Sequence, residues 1–202
     1  MSSGDFFCPK RKEMKIIYND IFLQEIKHEH SRLVSRISGL LAKKANLTND
    51  EAMLIESSAV LHDIGKNFVP KSILLKPEKL TEHEYKVIQG HVIAGTDCIL
   101  RTIRTLIAAY IISLQHHERP DGTGYANVTN IHTYAKIVAV ADVFDALLAK
   151  RPYKKAWSPE KVISYMCDNS HKQFEAEYIT ALLESIDEIL GLYENNQIII
   201  AR

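Results

Sequence analysis

Apolar residues recur at helical spacing along nearly the whole chain of 202 residues, and this periodicity restricts the fold more than any other feature. Two segments, Thr48–Glu51 and Thr81–Glu84, have the Thr-x-x-Glu pattern of a capping box, which satisfies the first free amides of a helix. Ser158 followed by Pro159 is typical of another helix start. No stretch of useful length alternates between apolar and polar residues as a half-buried strand does. We therefore predict a single all-α domain.

The same signals predict approximate helix bounds. Gly65 occupies the position where a residue in the left-handed conformation would end the helix that Thr48 opens. Pro70 and Pro77 enclose a predicted loop, and a second loop rich in turn residues spans 118–125. The predicted helices cover residues 16–44 (or two helices with a break near His28–His30), 48–62, 81–89, 92–100, 103–116, 131–150, 158–167 and 175–193.

Charge and composition exclude several classes of protein. Hydrophobic residues make up 46% and charged residues 25%, as in globular domains. Lys and Arg total 25 and so do Asp and Glu, and this balance argues against a polymeric nucleic acid as partner. The longest apolar run, 106–112, is too short to cross a bilayer, so no membrane association is expected. Three widely spaced cysteines form no disulfide framework, which favours a cytoplasmic location.

Histidines and aspartates carry the chemical signal of the sequence. Five histidines fall at predicted helix ends or breaks, where separate helices of one bundle can converge on a single site. Asp142 lies inside an apolar helix, and an unpaired buried carboxylate there would cost several kcal/mol, so it requires a cation. The candidate metal ligands are His30, His62, Asp63, His91, His116, His117 and Asp142. We interpret His28, His83, His132 and His171 as ordinary polar residues.

Seven candidate ligands are too many for one ion of four to six ligands, and they suit two ions about 3.5–4 Å apart that share a carboxylate. Imidazole and carboxylate together favour divalent transition metals. We therefore predict two such ions per chain, with iron or manganese first and zinc or nickel as alternatives.

Several segments, in this order, resemble one family. His62-Asp63 with Gly65-Lys66 is similar to the HD dyad and its trailing residues. The segment 116–125, His-His-Glu-Arg-Pro-Asp-Gly-Thr-Gly-Tyr, resembles the second signature of the HD-GYP phosphodiesterases. Segments 139–147 and 151–159 resemble the stretch that follows it, and the likeness also includes His30-Ser31-Arg32 and Gly90-His91. It covers roughly residues 25–185.

The resemblance implies an HD-domain helical bundle with a metal site in its core, and hydrolysis of cyclic di-GMP to linear pGpG, with further cleavage to GMP left open. It implies an N-terminal extension (1–15), a catalytic domain (16–195) and a C-terminal tail (196–202). By analogy, one ion would be held by His30, His62, Asp63 and Asp142, and the other by Asp63, His91, His116 and His117.

The resemblance also suggests roles in catalysis and substrate binding. Asp63 and Lys66 would be catalytic, with Lys66 on the scissile phosphate. Arg151 and Lys154 would bind the phosphates of the dinucleotide, and Tyr125 would lie beside a base.

The chain departs from the family pattern in the loop. Gly124-Tyr125 is followed by Ala126 in place of the proline of the Gly-Tyr-Pro motif, and the loop is about three residues shorter. This departure keeps two alternatives open: an HD hydrolase for another cyclic dinucleotide or a phosphomonoester, and a non-catalytic module that binds a nucleotide or docks a protein. A homodimer or a signalling-protein partner is also left open.

Two further roles follow from position. Glu118, Arg119 and Asp121 are expected to order the loop that contains them. Asp145 lies one turn after Asp142, so it either supports a metal ligand or is a surface acid.

Overall fold

The computed structural model describes residues 20–102, 106–149 and 156–195. Within these ranges the chain is helical with no strand, which confirms the all-α prediction. The elements are α1 (20–27), α2 (Glu29–Lys44), α3 (Asn49–Ala59), a 3₁₀ helix (Ile64–Phe68), α4 (Lys71–Leu74), α5 (Glu82–Gln89), α6 (His91–Thr102), α7 (Ile107–Gln115), α8 (Thr133–Leu148), α9 (Pro159–Asp168), α10 (Ala176–Glu184) and α11 (Ile186–Asn195). The predicted extension and tail, 1–15 and 196–202, lie outside the described residues.

The predicted helix starts are confirmed in atomic detail. The Thr48 hydroxyl accepts a hydrogen bond from the Glu51 amide, and the Glu51 carboxylate accepts from the Thr48 amide at 3.0 Å. Thr81 and Glu84 repeat this arrangement at the start of α5. The predicted break between α1 and α2 falls at residue 28, so the two-helix alternative is correct.

A central helix organises the larger core. Helix α8 packs against α2, α7, α9 and α10, as its apolar, alanine-rich sequence predicts. Ile37 and Leu41 of α2 meet Val138 and Phe144 of α8 and Leu182 of α10, and all five side chains are fully buried. Because α8 contains Asp142, the most buried helix also carries a carboxylate into the interior.

A smaller core lies under the 3₁₀ helix. It contains Phe22 of α1, Ile64 of the 3₁₀ helix, Ile99 of α6 and Ala109 of α7, all buried. His62 and Asp63 fall in the chain between Ala59 of the larger core and Ile64 of the smaller one. The dyad is therefore held from both sides by packed apolar residues.

Gly65 has a different role from the predicted one. The glycine with a positive φ among the described residues is Gly122, at +79°, whereas Gly65 lies inside the 3₁₀ helix. A Cβ atom at Gly65 would overlap the His91 carbonyl oxygen and lie 2.6 Å from the Gly95 nitrogen. Glycine is required there because the backbones of the 3₁₀ helix and α6 approach each other closely.

The helix that Thr48 caps ends at Ala59, three residues before the predicted end, and two predicted segments differ in their secondary structure. The segment between Pro70 and Pro77 contains the short helix α4, because the amides of Ile73 and Leu74 bond the Pro70 carbonyl. The last predicted helix is two helices, α10 and α11. Ser185 separates them with φ −108° and ψ 7°, outside the α-helical region, and its amide bonds Leu182 at i−3.

Among the described residues, no helix combines the length and the apolar character that crossing a bilayer demands.

We predict that Gly65→Ala destabilises the fold by about 1–3 kcal/mol, the usual cost of overpacking a close contact. Chemical denaturation measures this loss. Gly191→Ala is the matched control, since a Cβ there meets nothing within 4 Å in helix α11. That control should stabilise the protein by about 0.5–1 kcal/mol, because alanine is favoured over glycine inside a helix. Equal stability of the two variants would contradict the close-approach role of Gly65.

Candidate metal centre

The fold brings all seven predicted ligands to one place, although they span 113 positions from residue 30 to residue 142. They form two groups of four residues, and Asp63 belongs to both. In each group, one donor atom from every residue lies within 4.8 Å of the others. The first group is His30, His62, Asp63 and Asp142, and the second is Asp63, His91, His116 and His117.

Helix ends position most of these side chains. His30 is the second residue of α2, His91 is the first residue of α6, and His116 caps the C-terminus of α7. His62 and Asp63 follow α3, with Asp63 immediately before the 3₁₀ helix. These positions explain how adjacent residues such as His116 and His117 reach one site, since the helix no longer directs neighbours to different faces there.

Four of the five imidazoles, those of His30, His62, His91 and His116, direct Nε2 inward and bond a neighbour through Nδ1. Nδ1 of His62 donates to the Ala59 carbonyl at 2.9 Å, Nδ1 of His91 to Ile88 at 2.7 Å, and Nδ1 of His116 to Ile112 at 3.0 Å. Since a carbonyl can only accept, the proton is on Nδ1, and in the neutral ring the lone pair is on Nε2.

The inward nitrogens have no partner in the described part of the chain. The Nε2 atoms of His30, His62, His91 and His116 are buried there without a hydrogen bond, as is Oδ1 of Asp63. Buried polar atoms are nearly always satisfied, so a cluster of five unsatisfied ones indicates a missing binding partner. Imidazoles oriented through Nδ1 towards backbone carbonyls are typical of metal ligands. The residues present therefore fit divalent metal ions.

The Asp63 carboxylate lies between the two groups. Its Oδ1 atom is 3.2 Å from Nε2 of His91 and 3.6 Å from Nε2 of His116. Its Oδ2 atom is 3.3 Å from Nε2 of His62 and 3.8 Å from Nε2 of His30. One oxygen thus faces each histidine group, which is the geometry that a bridging carboxylate needs.

Asp145 supports the first group. Its Oδ2 atom accepts from Nδ1 of His30 at 2.5 Å, and its Oδ1 atom accepts from the Tyr193 hydroxyl at 2.7 Å. Asp145 is 1% exposed, so the surface-acid alternative is wrong. It takes the place of the backbone carbonyls that orient the imidazoles of His62, His91 and His116.

The charges of the site suit cations. Burial acts to raise the pKa of Asp63, but the charges of Lys66 and His62 hold it well below its usual value. Burial also acts to raise the pKa of Asp142, but the nearby rings of His30 and His62 outweigh this effect and hold it well below its usual value. Burial lowers the pKa of His116 and that of His117, so both rings are neutral and able to ligate.

Lys66 lies beside the shared carboxylate. Its Nζ atom bonds Oδ2 of Asp63, while its side chain is 29% exposed. The lysine therefore connects the buried centre with the open side of the site. Arg151 and Lys154, the other predicted phosphate-binding residues, lie outside the described residues.

The loop after His117 is wrapped around Glu118. This carboxylate is buried, and its two oxygens accept from the amides of Ala126 and Val128, each at 2.7 Å. A Cβ atom at Gly124 would lie 2.6 Å from the Glu118 carboxyl carbon, so only glycine fits. Ala126 supplies an amide proton that a proline could not, so the departure from the Gly-Tyr-Pro pattern adds a loop contact.

Asp121 orders the same loop by bonding the amide and hydroxyl of Thr123, at 2.9 and 2.6 Å. The expected ordering roles of Glu118 and Asp121 therefore agree with the structure.

Tyr125 lies next to the second group of ligands. Its ring centroid is 4.5 Å from that of His117, and the rings are tilted by 39°. Its hydroxyl is 3.1 Å from the hydroxyl of Tyr85 on α5. Burial and the hydrogen bond with Tyr85 raise the pKa of Tyr125 further above its usual value, so the phenol stays neutral.

Comparison with known proteins agrees with this geometry. The family model of the HD domain matches residues 17–178. This chain belongs to the HD domain family. It is 40% identical over 167 residues to the cyclic di-GMP phosphodiesterase response regulator RpfG of Xanthomonas campestris pv. campestris, covering 79% of this chain and 44% of the relative. These matches confirm the resemblance to the HD-GYP group.

Two further similar proteins extend the comparison. The chain is 38% identical over 167 residues to 3′3′-cGAMP-specific phosphodiesterase 2 of Vibrio cholerae, covering 81% of this chain and 32% of the relative. A solved structure of an HDG"Y"P protein from Bdellovibrio bacteriovorus has a TM-score of 0.62 at 21% identity, covering 78% and 51% of the two chains, and shows the shared fold. The chain spans less than half the length of both curated relatives.

Sequence reasoning missed two residues of the site's surroundings. Tyr193 orients Asp145 from 48 positions away, and Tyr85 bonds Tyr125 from 40 positions away. Both are aromatic residues at helical spacing, which is the ordinary pattern of a helix that packs on a core. Nothing local in the sequence distinguishes them, because their partners are defined by tertiary contact.

Asp63→Asn tests the shared carboxylate. The amide keeps the shape but offers only one oxygen, so we expect loss of tight binding at both groups, as elemental analysis after anaerobic purification would measure. His30→Ala should mainly weaken one ion. Asp97→Asn is the control, since Asp97 is an exposed aspartate paired with Arg101 at 2.7 Å. Two tightly bound ions in Asp63→Asn would refute the bridging role.

Metal binding should release protons. Burial disfavours the charged form of His62, but the neighbouring carboxylates of Asp63 and Asp142 raise its pKa to about 10. Near pH 7.5, about one proton therefore leaves His62 when a metal takes Nε2. Calorimetry in buffers of different ionisation enthalpy measures this release, and a buffer-independent heat of binding would contradict it.

The same shift predicts how the metal-free protein responds to pH. A raised folded-state pKa gives stability that is complete below the unfolded value of 6.5 and is lost as pH rises through about 10. Urea denaturation of metal-free protein should accordingly show declining stability across this window, and metal-loaded protein should not show the His62 contribution.

Proposed function

We propose that this chain is a metal-dependent phosphodiesterase that hydrolyses cyclic dinucleotides, with cyclic di-GMP as substrate and linear pGpG as product. The observation that carries the proposal is the pair of ligand groups that share Asp63, with five unsatisfied buried donor atoms directed between them. The HD domain relatives that act on cyclic di-GMP and on 3′3′-cGAMP support the substrate class.

We propose two divalent ions per chain. The first group, His30, His62, Asp63 and Asp142, would hold one, and the second, Asp63, His91, His116 and His117, would hold the other. Mixed imidazole and carboxylate ligands favour iron or manganese, with zinc and nickel also compatible. Two ions in such a site supply an activated water at neutral pH and positive charge for the phosphate oxygens.

Three residues of the site would have further roles. Asp63 would hold the two ligand groups next to each other through its two oxygens. Lys66 lies at the open side of the centre, and we assign its ammonium to the scissile phosphate, where negative charge develops during hydrolysis. Asp145 would hold the His30 ring through Nδ1 and so keep its Nε2 atom directed inward.

Substrate recognition would involve residues around this centre. Tyr125 lies against His117 and is placed to contact a base of the dinucleotide. Arg151 and Lys154, which follow α8, would bind its phosphates through charge-assisted hydrogen bonds.

The non-catalytic alternative is less well supported. A module that only binds a nucleotide has no need for both complete ligand groups. The cytoplasmic location expected from the sequence stays a prediction, as do a homodimer and a signalling-protein partner.

A substrate panel tests the function. Protein loaded with Mn²⁺, or with Fe²⁺ under anaerobic conditions, is incubated with cyclic di-GMP, 3′3′-cGAMP, pGpG and a phosphomonoester, and products are separated by chromatography. We expect metal-dependent conversion of cyclic di-GMP to pGpG. Faster turnover of 3′3′-cGAMP would reassign the substrate within the class. Turnover of no cyclic dinucleotide with either metal would end the proposal.

Kinetics of three variants test the cationic residues. Lys66→Ala should lower kcat by about 10- to 150-fold, since a hydrogen bond to a charged group contributes about 1.5–3 kcal/mol and this one strengthens in the transition state. Arg151→Ala and Lys154→Ala should mainly raise KM, since they bind phosphates before and during reaction.

Lys136→Ala is the matched control for these kinetics. Lys136 is a half-buried lysine at 27% exposure, paired with Glu175 at 2.9 Å. If Lys66→Ala and this control have the same kinetics, Lys66 does not act on the scissile phosphate.

A further inference from the structure

Tyr85 of helix α5 contacts Tyr125 of the loop beside the metal centre. The Tyr85 and Tyr125 hydroxyls lie 3.1 Å apart and share a hydrogen bond, although 40 positions separate the residues. Their rings meet edge to face, with centroids 6.1 Å apart and an interplanar angle of 82°. We call these two residues, Tyr85 and Tyr125, the tyrosine pair.

Helix α5 carries Tyr85, the first residue of the tyrosine pair. Tyr85 lies in the first turn of α5, directly after Glu84, whose carboxylate accepts from the Thr81 amide at 2.8 Å. The same carboxylate binds Nζ of Lys76 at 2.7 and 2.8 Å. The Glu84 carboxylate thus holds the first turn of α5, and Tyr85 lies in that turn.

Tyr125, the second residue of the tyrosine pair, lies beside the metal centre. The Tyr125 ring lies 4.5 Å from that of His117 and 6.3 Å from that of His91, both in the second ligand group. Tyr85 is 44% exposed, so part of its surface remains accessible to a ligand. An accessible aromatic surface beside a metal centre is suited to stacking a planar base.

We propose that Tyr85 is a positioning and specificity residue for the substrate. Its hydroxyl bonds that of Tyr125 and so holds the Tyr125 ring against His117. The tyrosine pair then stacks a purine base of the dinucleotide. This inference rests on the proposed function and adds to it a residue outside the metal ligands and the loop motif. Glu118 holds the backbone of the loop, whereas Tyr85 sets the orientation of the Tyr125 side chain.

The hydroxyl pair is tested by a double-mutant cycle. Tyr85→Phe and Tyr125→Phe each remove one hydroxyl, so each should raise KM for cyclic di-GMP by about 2- to 10-fold, the range of one neutral hydrogen bond, with kcat within about twofold. The double variant should be no worse than either single variant, because all three lack the same bond. An unchanged KM in Tyr85→Phe, or additive effects, would overturn the proposal.

Tyr165→Phe is the matched control. Its hydroxyl donates to Oε1 of Gln173 at 2.9 Å on α9, so it loses a comparable hydrogen bond elsewhere in the fold. We expect this variant to keep the wild-type KM. If KM rises equally in Tyr165→Phe and Tyr85→Phe, the increase reflects a general loss of stability, and the assignment is overturned.

A second measurement does not depend on turnover. Zinc-loaded protein labelled with ¹³C-tyrosine contains nine tyrosines, and the Tyr125 signal is identified by its absence in Tyr125→Phe. We expect Tyr85→Phe to shift that signal, and GMP to perturb it more weakly in Tyr85→Phe than in wild type. An unshifted Tyr125 signal, or an equal response to GMP, would overturn the inference. Absent turnover of cyclic dinucleotides, with these spectral changes present, would instead refute the proposed function alone.

Discussion

The shared Asp63 carboxylate is the constraint on which the rest of the site depends. Its two oxygens face two histidine groups, at 3.2 Å from His91 on one side and 3.3 Å from His62 on the other. A buried carboxylate is stable only when opposite charge or donors surround it. The ends of four helices, α2, α3, α6 and α7, converge on this residue and supply that environment, and Asp142 extends it from helix α8.

Helix ends also explain why backbone carbonyls can orient the ligands. A carbonyl oxygen near a helix end has two lone pairs, so it can accept from an imidazole beside a backbone amide, as Ala59 does from the His62 amide at 3.0 Å. Ala59 at the end of α3 and Ile88 near the end of α5 accept from the Nδ1 atoms of His62 and His91. The same helix ends therefore place the imidazoles and fix their tautomer. The Nδ1 atom of His30 bonds the carboxylate of the buried Asp145, which takes this role in place of a carbonyl.

The loop next to this centre is held by side-chain contacts of a different kind. Glu118 accepts two amides of the loop, and one of them belongs to Ala126 at the position where the motif has proline. The altered residue is therefore part of the loop's own hydrogen bonding. The chain thus keeps an ordered loop while departing from the family pattern, and the ring of Tyr125 remains against His117.

The sequence by itself determined the helical class, the capped starts of α3 and α5, and the seven candidate ligands, because periodicity, capping and a carboxylate in an apolar helix are local signals. It did not determine why Gly65 is glycine, where Ser185 divides the last helices, or that Tyr193 and Tyr85 support the site. Those properties come from close backbone approach and from contacts 40 or more positions apart, such as Tyr85 with Tyr125 and Tyr193 with Asp145. Only the tertiary structure decided them, since a residue's identity does not specify which distant group it will meet.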